Sequence, residues 1–124
     1  MNIVDSSGWL EYFAGGPNAE FFSEPIEEPS ELLVPTISLY EVFKRVLQQR
    51  DESEALRAIA FMQSGEIIDL TSTLALHAAK ISTELKIPMT DSVMLATARE
   101  SDAVLWTQDS DFEDLKDVRY TTAR

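Results

Sequence analysis

The chain has 124 residues, 44% hydrophobic and 26% charged, enough for one globular unit with a real core and too few for two. It has no cysteine, which excludes a disulfide framework, a thiolate nucleophile and cysteine-ligated zinc. Ten Lys and Arg against 22 Asp and Glu give a formal net charge of −12, opposite to the basic balance usual in proteins that hold nucleic acid by its phosphates.

Met1–Val4 reads as a short apolar strand leading into Asp5-Ser6-Ser7, a helix start whose apolar face is Trp9, Leu10 and Phe13. This N-terminal segment is acidic at position 5 and has no basic residue, unlike a secretory signal. Nowhere does an apolar run approach the ~20 residues of a membrane span, so a cytoplasmic protein with no membrane partner is expected. Gly15-Gly16-Pro17 stops the first helix, and a second short one carries Phe21 and Phe22. Glu24–Glu31, with Pro25 and Pro29, reads as a surface loop. Leu32-Leu33-Val34, closed by Pro35, is a second strand.

Thr36–Gln49 has helical periodicity, with Leu39, Val42, Phe43, Val46 and Leu47 on one face and Glu41, Lys44, Arg45 and Gln48 on the other. Asp51-Glu52-Ser53 breaks it, and Leu56, Ile59, Ala60 and Gln63 begin another amphipathic helix that ends at Gly65. Ile67–Leu70 is a third strand, after which Thr71 or Ser72 caps a helix with the stripe Leu74, Ala78, Ile81 and Leu85. Beyond Ile87-Pro88-Met89, Thr90-Asp91 opens a helix to about Ser101, rich in small residues suited to close packing on a sheet. Ala103–Thr107 is the fourth strand, Phe112–Leu115 a single turn, and Val118–Thr121 a short edge strand. Short strands separated by helices specify an α/β protein: one α/β/α domain over residues 1–124 with a mainly parallel central sheet.

The apolar run ending at Trp106 gives way abruptly to Thr107-Gln108-Asp109-Ser110-Asp111. Open α/β sheets collect ligand-handling groups just past the carboxyl ends of their strands, so this elbow is a candidate rim of an active site. Asp5 follows the first strand, Glu41 lies early in the helix after the second, and Asp91 opens a helix. In a parallel sheet all four positions, with Asp109, fall on one edge; Asp111 is a fifth candidate, less directly aimed. Each has a structural explanation. Asp5 suits a helix N-cap, Ser38–Glu41 a capping box, Asp91 a helix first turn and Asp109-Ser110-Asp111 a turn. Converging carboxylates nevertheless repel, and a hard divalent cation, Mg2+ or Mn2+, relieves the conflict. Such a cluster can hydrolyse phosphodiesters without a nucleophilic side chain. Ser6, Ser92 and Thr107 are placed to orient waters or carboxylates. The only histidine, His77, sits mid-helix and carries no mechanism.

Asp5-Ser6-Ser7, Glu41 in PTISLYEVFKR, the TDSVMLATA run from Thr90 and WTQDSDF from Trp106 together resemble the PIN-domain ribonucleases, above all the VapC-type toxins of toxin–antitoxin pairs. The resemblance spans essentially the whole chain; the Asp91 helix and the T-x-D-x-D-F signature are its specific parts. It implies a Mg2+- or Mn2+-dependent endoribonuclease, a cognate antitoxin and frequent homodimers. By position, Asp5, Glu41, Asp91 and Asp109 correspond to the family's acidic quartet and Thr107 to its hydroxyl, while Asp111 matches an acidic position of variable role. The departure is the net charge. Lys44 and Arg45, just beyond Glu41, are the basic residues best placed to touch phosphates, or else lie on an exposed helix face with a Glu41–Arg45 pair. The acidic surface also fits a basic antitoxin segment. Two other classes compete: a Mg2+-binding phospho-acceptor receiver domain, and a catalytically inactive PIN-like module that binds RNA or protein.

Overall fold

The computed structural model describes residues 1–124. Its strands are β1 (Asn2–Val4), β2 (Leu32–Pro35), β3 (Glu66–Ile68), β4 (Val104–Thr107) and β5 (Val118–Tyr120). They form one sheet in the order β3-β2-β1-β4-β5, and every neighbouring pair is parallel. The helices are α1 (Ser6–Ala14), α2 (Ala19–Ile26), α3 (Thr36–Gln49), α4 (Glu52–Met62), α5 (Ser72–Leu85) and α6 (Met89–Glu100).

Strand alternation divides the core in two. Ile3, Leu33 and Leu105 join Leu74, Ala78, Ile81 and Leu95 of α5 and α6 in one cluster. Val4, Val34 and Trp106 join Trp9, Phe22, Val42 and Met62 of α1–α4 in the other. Helices therefore cover both faces, and β1, β2 and β4 are buried along nearly their whole length. α6 lies in the interior, with Ser92–Ala98 all buried, which is why its sequence shows small residues in place of a polar face.

The chain steps outward from β1 through β2 to β3 with α1–α4, then α5 and α6 carry it back across the opposite face to β4, beside β1. The strand order therefore reverses between β1 and β4, and crevices open at such a switch point. Register brings the strand ends level there: Val4 pairs with Trp106 and Thr107 with Tyr120. The link from β4 to β5 contains only a 3-10 turn at Ser110–Phe112, yet β5 still joins in parallel.

Several local expectations shift. Glu24–Ile26 is the last turn of α2: Pro25 and Ile26 are buried, and that apolar contact offsets the hydrogen bond that Pro25 cannot donate. Pro29–Glu31 is a 3-10 turn. The inward face of α4 is Ala55, Ala58 and Met62, not Leu56 and Ala60; Leu56 is 53% exposed. On α3, Leu47 faces out. β3 stops at Ile68, leaving Asp69 and Leu70 in the connection to α5. Ser38 caps nothing: α3 starts at Thr36 behind Pro35, and Ser38 lies buried within its first turn. No helix is long and apolar enough to cross a membrane.

Candidate active site

Asp5 is the hinge of the site. As N-cap of α1 its Oδ1 accepts from the Gly8 amide at 2.8 Å and the Ser7 hydroxyl at 3.1 Å. Gly8 is needed for this. A Cβ there would come within 2.6 Å of the Phe22 ring and 2.7 Å of Val4, so only glycine lets the first turn of α1 lie this close. Across the switch point, Thr107 Oγ1 donates to Asp5 Oδ2 at 2.5 Å and accepts from the Asp109 amide at 2.9 Å. Asp109 Oδ1 in turn accepts from the Asp111 amide at 2.9 Å. One relay thus runs from the end of β1 through the end of β4 to the acidic elbow. Asp5 is buried, and burial raises its carboxyl above the ordinary value against the lowering effect of Thr107, Gly8 and Ser7.

Asp91 stands opposite, in the first turn of α6. Its carboxyl is pushed from 3.8 up to about 7, first by burial, then by the charges of Asp109, Asp5, Glu41 and Asp111. Every acid singled out in the sequence is thus electrostatically present at this one side chain. Carboxylate oxygens of Asp91, Asp109 and Asp111 lie within 4.8 Å of one another, so Asp111, though exposed, belongs to the tightest group. Asp5 and Glu41 line the same cleft of about 400 Å³ with Asp91 and Asp109. Ser38 Oγ donates to Met94 Sδ at 3.5 Å, a contact between α3 and α6, the helices that carry Glu41 and Asp91.

The supporting hydroxyls divide. Thr107 joins the Asp5 carboxylate to the Asp109 backbone amide. Ser6 lines the cleft with a buried Oγ that has no protein partner, while its neighbour Ser7 bonds Asp5. Ser92 is not brought to the cleft; its hydroxyl turns back to the Pro88 carbonyl at 2.8 Å. Lys44 and Arg45 both line the cleft, and no ion pair joins Glu41 to Arg45. His77 pairs with Glu100 between α5 and α6, outside the cleft. Sequence reading passed over Ser7, Tyr40, Gln48 and Thr90, all in the cleft wall. Tyr40 and Gln48 were findable, since they fall on the helical stripe of Lys44 at i−4 and i+4.

The family model of the PIN domain matches residues 3–118. The chain belongs to the PIN domain family. Solved structures agree on the fold of this PIN domain. A toxin–antitoxin complex from Klebsiella pneumoniae has a chain 22% identical, with 96% of each chain covered and a TM-score of 0.80. VapC20 of Mycobacterium tuberculosis, described as a sarcin–ricin-loop-cleaving toxin, is 17% identical, with 91% of this chain and 93% of that one covered and a TM-score of 0.75. VapBC2 of Rickettsia felis, bound to a DNA fragment from its promoter, is 16% identical, with 98% and 97% covered and a TM-score of 0.73. No curated protein matches by sequence. The receiver expectation falls here: β1 lies between β2 and β4, whereas receivers order their strands 2-1-3-4-5.

Proposed function

We propose that this PIN domain is a divalent-cation-dependent endoribonuclease, the toxin of a toxin–antitoxin pair. The observation that carries the reading is the convergence of acids at Asp91: Asp109 and Asp111 bring carboxylate oxygens within 4.8 Å, Asp5 and Glu41 line the same cleft, and burial followed by these charges raises the Asp91 carboxyl to about 7. Clefts keep such a costly arrangement where a cation belongs among the charges. The donor set fits a hard one. Asp91, Asp109 and Asp111 offer carboxylate oxygens within 4.8 Å of one another, with no nitrogen or sulfur ligand among them, which suits Mg2+ or Mn2+.

Asp91, Asp109 and Asp111 would hold the ion, with Asp5 and Glu41 on the walls as further ligands or as acceptors for a proton from the attacking water. When bound, the cation supplies an acidified water and neutralises charge developing on the phosphate. Thr107 fixes the angle between Asp5 and the Asp109 backbone, so both carboxylates stay aimed as substrate enters. Lys44 and Arg45 neutralise flanking phosphates that the −12 chain would otherwise repel.

The same net charge suits a basic antitoxin segment, whose arginine could sit among the carboxylates in place of the cation. Homodimers, RNA as substrate and a cytoplasmic location belong to this reading. Its competitor is a PIN module that binds without cutting. The test incubates purified protein with an RNA panel in Mn2+, Mg2+ or EDTA, alongside Asp91→Asn. Cleavage that needs metal and disappears in the folded variant is expected; cleavage persisting in EDTA refutes the proposal, and metal-dependent binding without cleavage favours the inactive module.

A further inference from the structure

Tyr12, Phe13 and Phe61 pack on one another, and Phe21 packs on Trp106. Tyr40 joins neither group. It is 61% exposed on the second turn of α3, and it lines the acidic cleft next to Glu41. One turn further on, the Lys44 ammonium sits 5.7 Å from the centre of its ring, and Gln48 continues the stripe. Lys44 and Arg45 are the only cations in the cleft wall, and Lys44 sits over this ring.

An exposed aromatic flanked by cations in a groove is how proteins hold unpaired nucleotides: cations follow the backbone while bases stack on the ring. Net charge sharpens the point. At −12 the chain draws no nucleic acid by general attraction, so affinity must come from local contacts. Tyr40 also sits where it can select: next to Glu41, it is within one side chain of the carboxylates that would act on the phosphate. Bases inside a duplex stack on each other and cannot offer a face to it.

We infer that Tyr40, with Lys44 over its ring, is a stacking platform that seats an unpaired base beside the acidic cleft, restricting the substrate to single-stranded segments. The inference rests on the nuclease reading for the identity of the strand as RNA, but the platform can be tested without cleavage. A short unstructured RNA carrying one 2-aminopurine is titrated with the full chain in Ca2+, and quenching of the base reports stacking. Wild type is expected to quench and bind the single strand at least ten times more tightly than the same RNA annealed to its complement. Tyr40→Ala should weaken binding by about five- to a hundredfold and abolish quenching, as the usual stacking contribution of 1–3 kcal/mol per base requires. Tyr40→Phe and Tyr40→Trp should keep both, and circular dichroism should show α3 unchanged in all three. Equal binding of single strand and duplex, Tyr40→Ala binding like wild type, or Tyr40→Phe failing like Tyr40→Ala would each overturn the platform. Quenching by wild type without cleavage in Mn2+ would sink the nuclease reading and leave the platform standing; cleavage indifferent to Tyr40→Ala would do the reverse.

Discussion

Replacing Asp91 with asparagine should make the metal-free protein more stable while removing its activity. Everything acting on the Asp91 carboxyl is burial or like charge, and all of it raises the pKa, from 3.8 to about 7. Below pH 3.8 the group is protonated in folded and unfolded chains alike and costs nothing. Between 3.8 and about 7 the folded chain keeps a proton that the unfolded chain has lost, so stability falls as pH rises. Above about 7 the cost is complete. Fully effective, the shift is worth roughly 4 kcal/mol. Asp91 is only half-buried, and screening reduces the expected cost to about 1–2 kcal/mol. Asparagine keeps the shape and carries no charge. In urea unfolding with EDTA, Asp91→Asn should be about 1–2 kcal/mol more stable than wild type at pH 8, with a smaller gain at pH 5. Saturating Mn2+ should narrow or reverse the order, since a ligand at a hundredfold its Kd adds about 2.7 kcal/mol to the form that binds it. A variant less stable than wild type at pH 8 in EDTA, or a difference flat with pH, would refute the electrostatic account of the cleft.

Thr107→Val removes the one hydroxyl that both feeds Asp5 and receives the Asp109 amide; it should cost about 1–3 kcal/mol and weaken Mn2+ binding by about ten- to a hundredfold, with Thr107→Ser restoring both, as calorimetry would read. Gly8→Ala forces a methyl against the buried Phe22 ring, so denaturant unfolding should show a loss of about 1–3 kcal/mol, and activity should fall as Asp5 is displaced. Lys86 closes α5 with φ at 56°, and glycine there should raise stability by about 0.5–1 kcal/mol in the same assay without touching the cleft.

Elements were legible where a single physical preference governs them. Thr36–Gln49 was bounded to the residue because Pro35 forbids an earlier helix and the apolar period is unbroken. α6 was legible from its small residues, and the acidic cluster from strand ends that a parallel sheet must bring to one edge. Faces that depend on what packs against them were not. Leu56 is more apolar than Ala58, yet the face of α4 turned to the core is Ala55, Ala58 and Met62, and Leu56 is left outside. Pro25 looks like a loop residue locally and is held in helix by burial. In the cleft, the sequence set Asp111 behind Asp5, because spacing along the chain does not reveal that a 3-10 turn curls Asp111 back toward Asp91. Ser6 and Ser7 could not be told apart without knowing which way α1 turns.

Because β1 is paired with β4, the first strand waits for one made only after α6. A ribosome that has released everything through α5 has delivered Asp5 and Glu41 but neither Asp91 nor Asp109, and Asp5 still lacks the Thr107 hydroxyl. A polypeptide that stops short of β4 therefore lacks the assembled cleft, and whatever this cleft does must wait until β4 has been made and paired with β1.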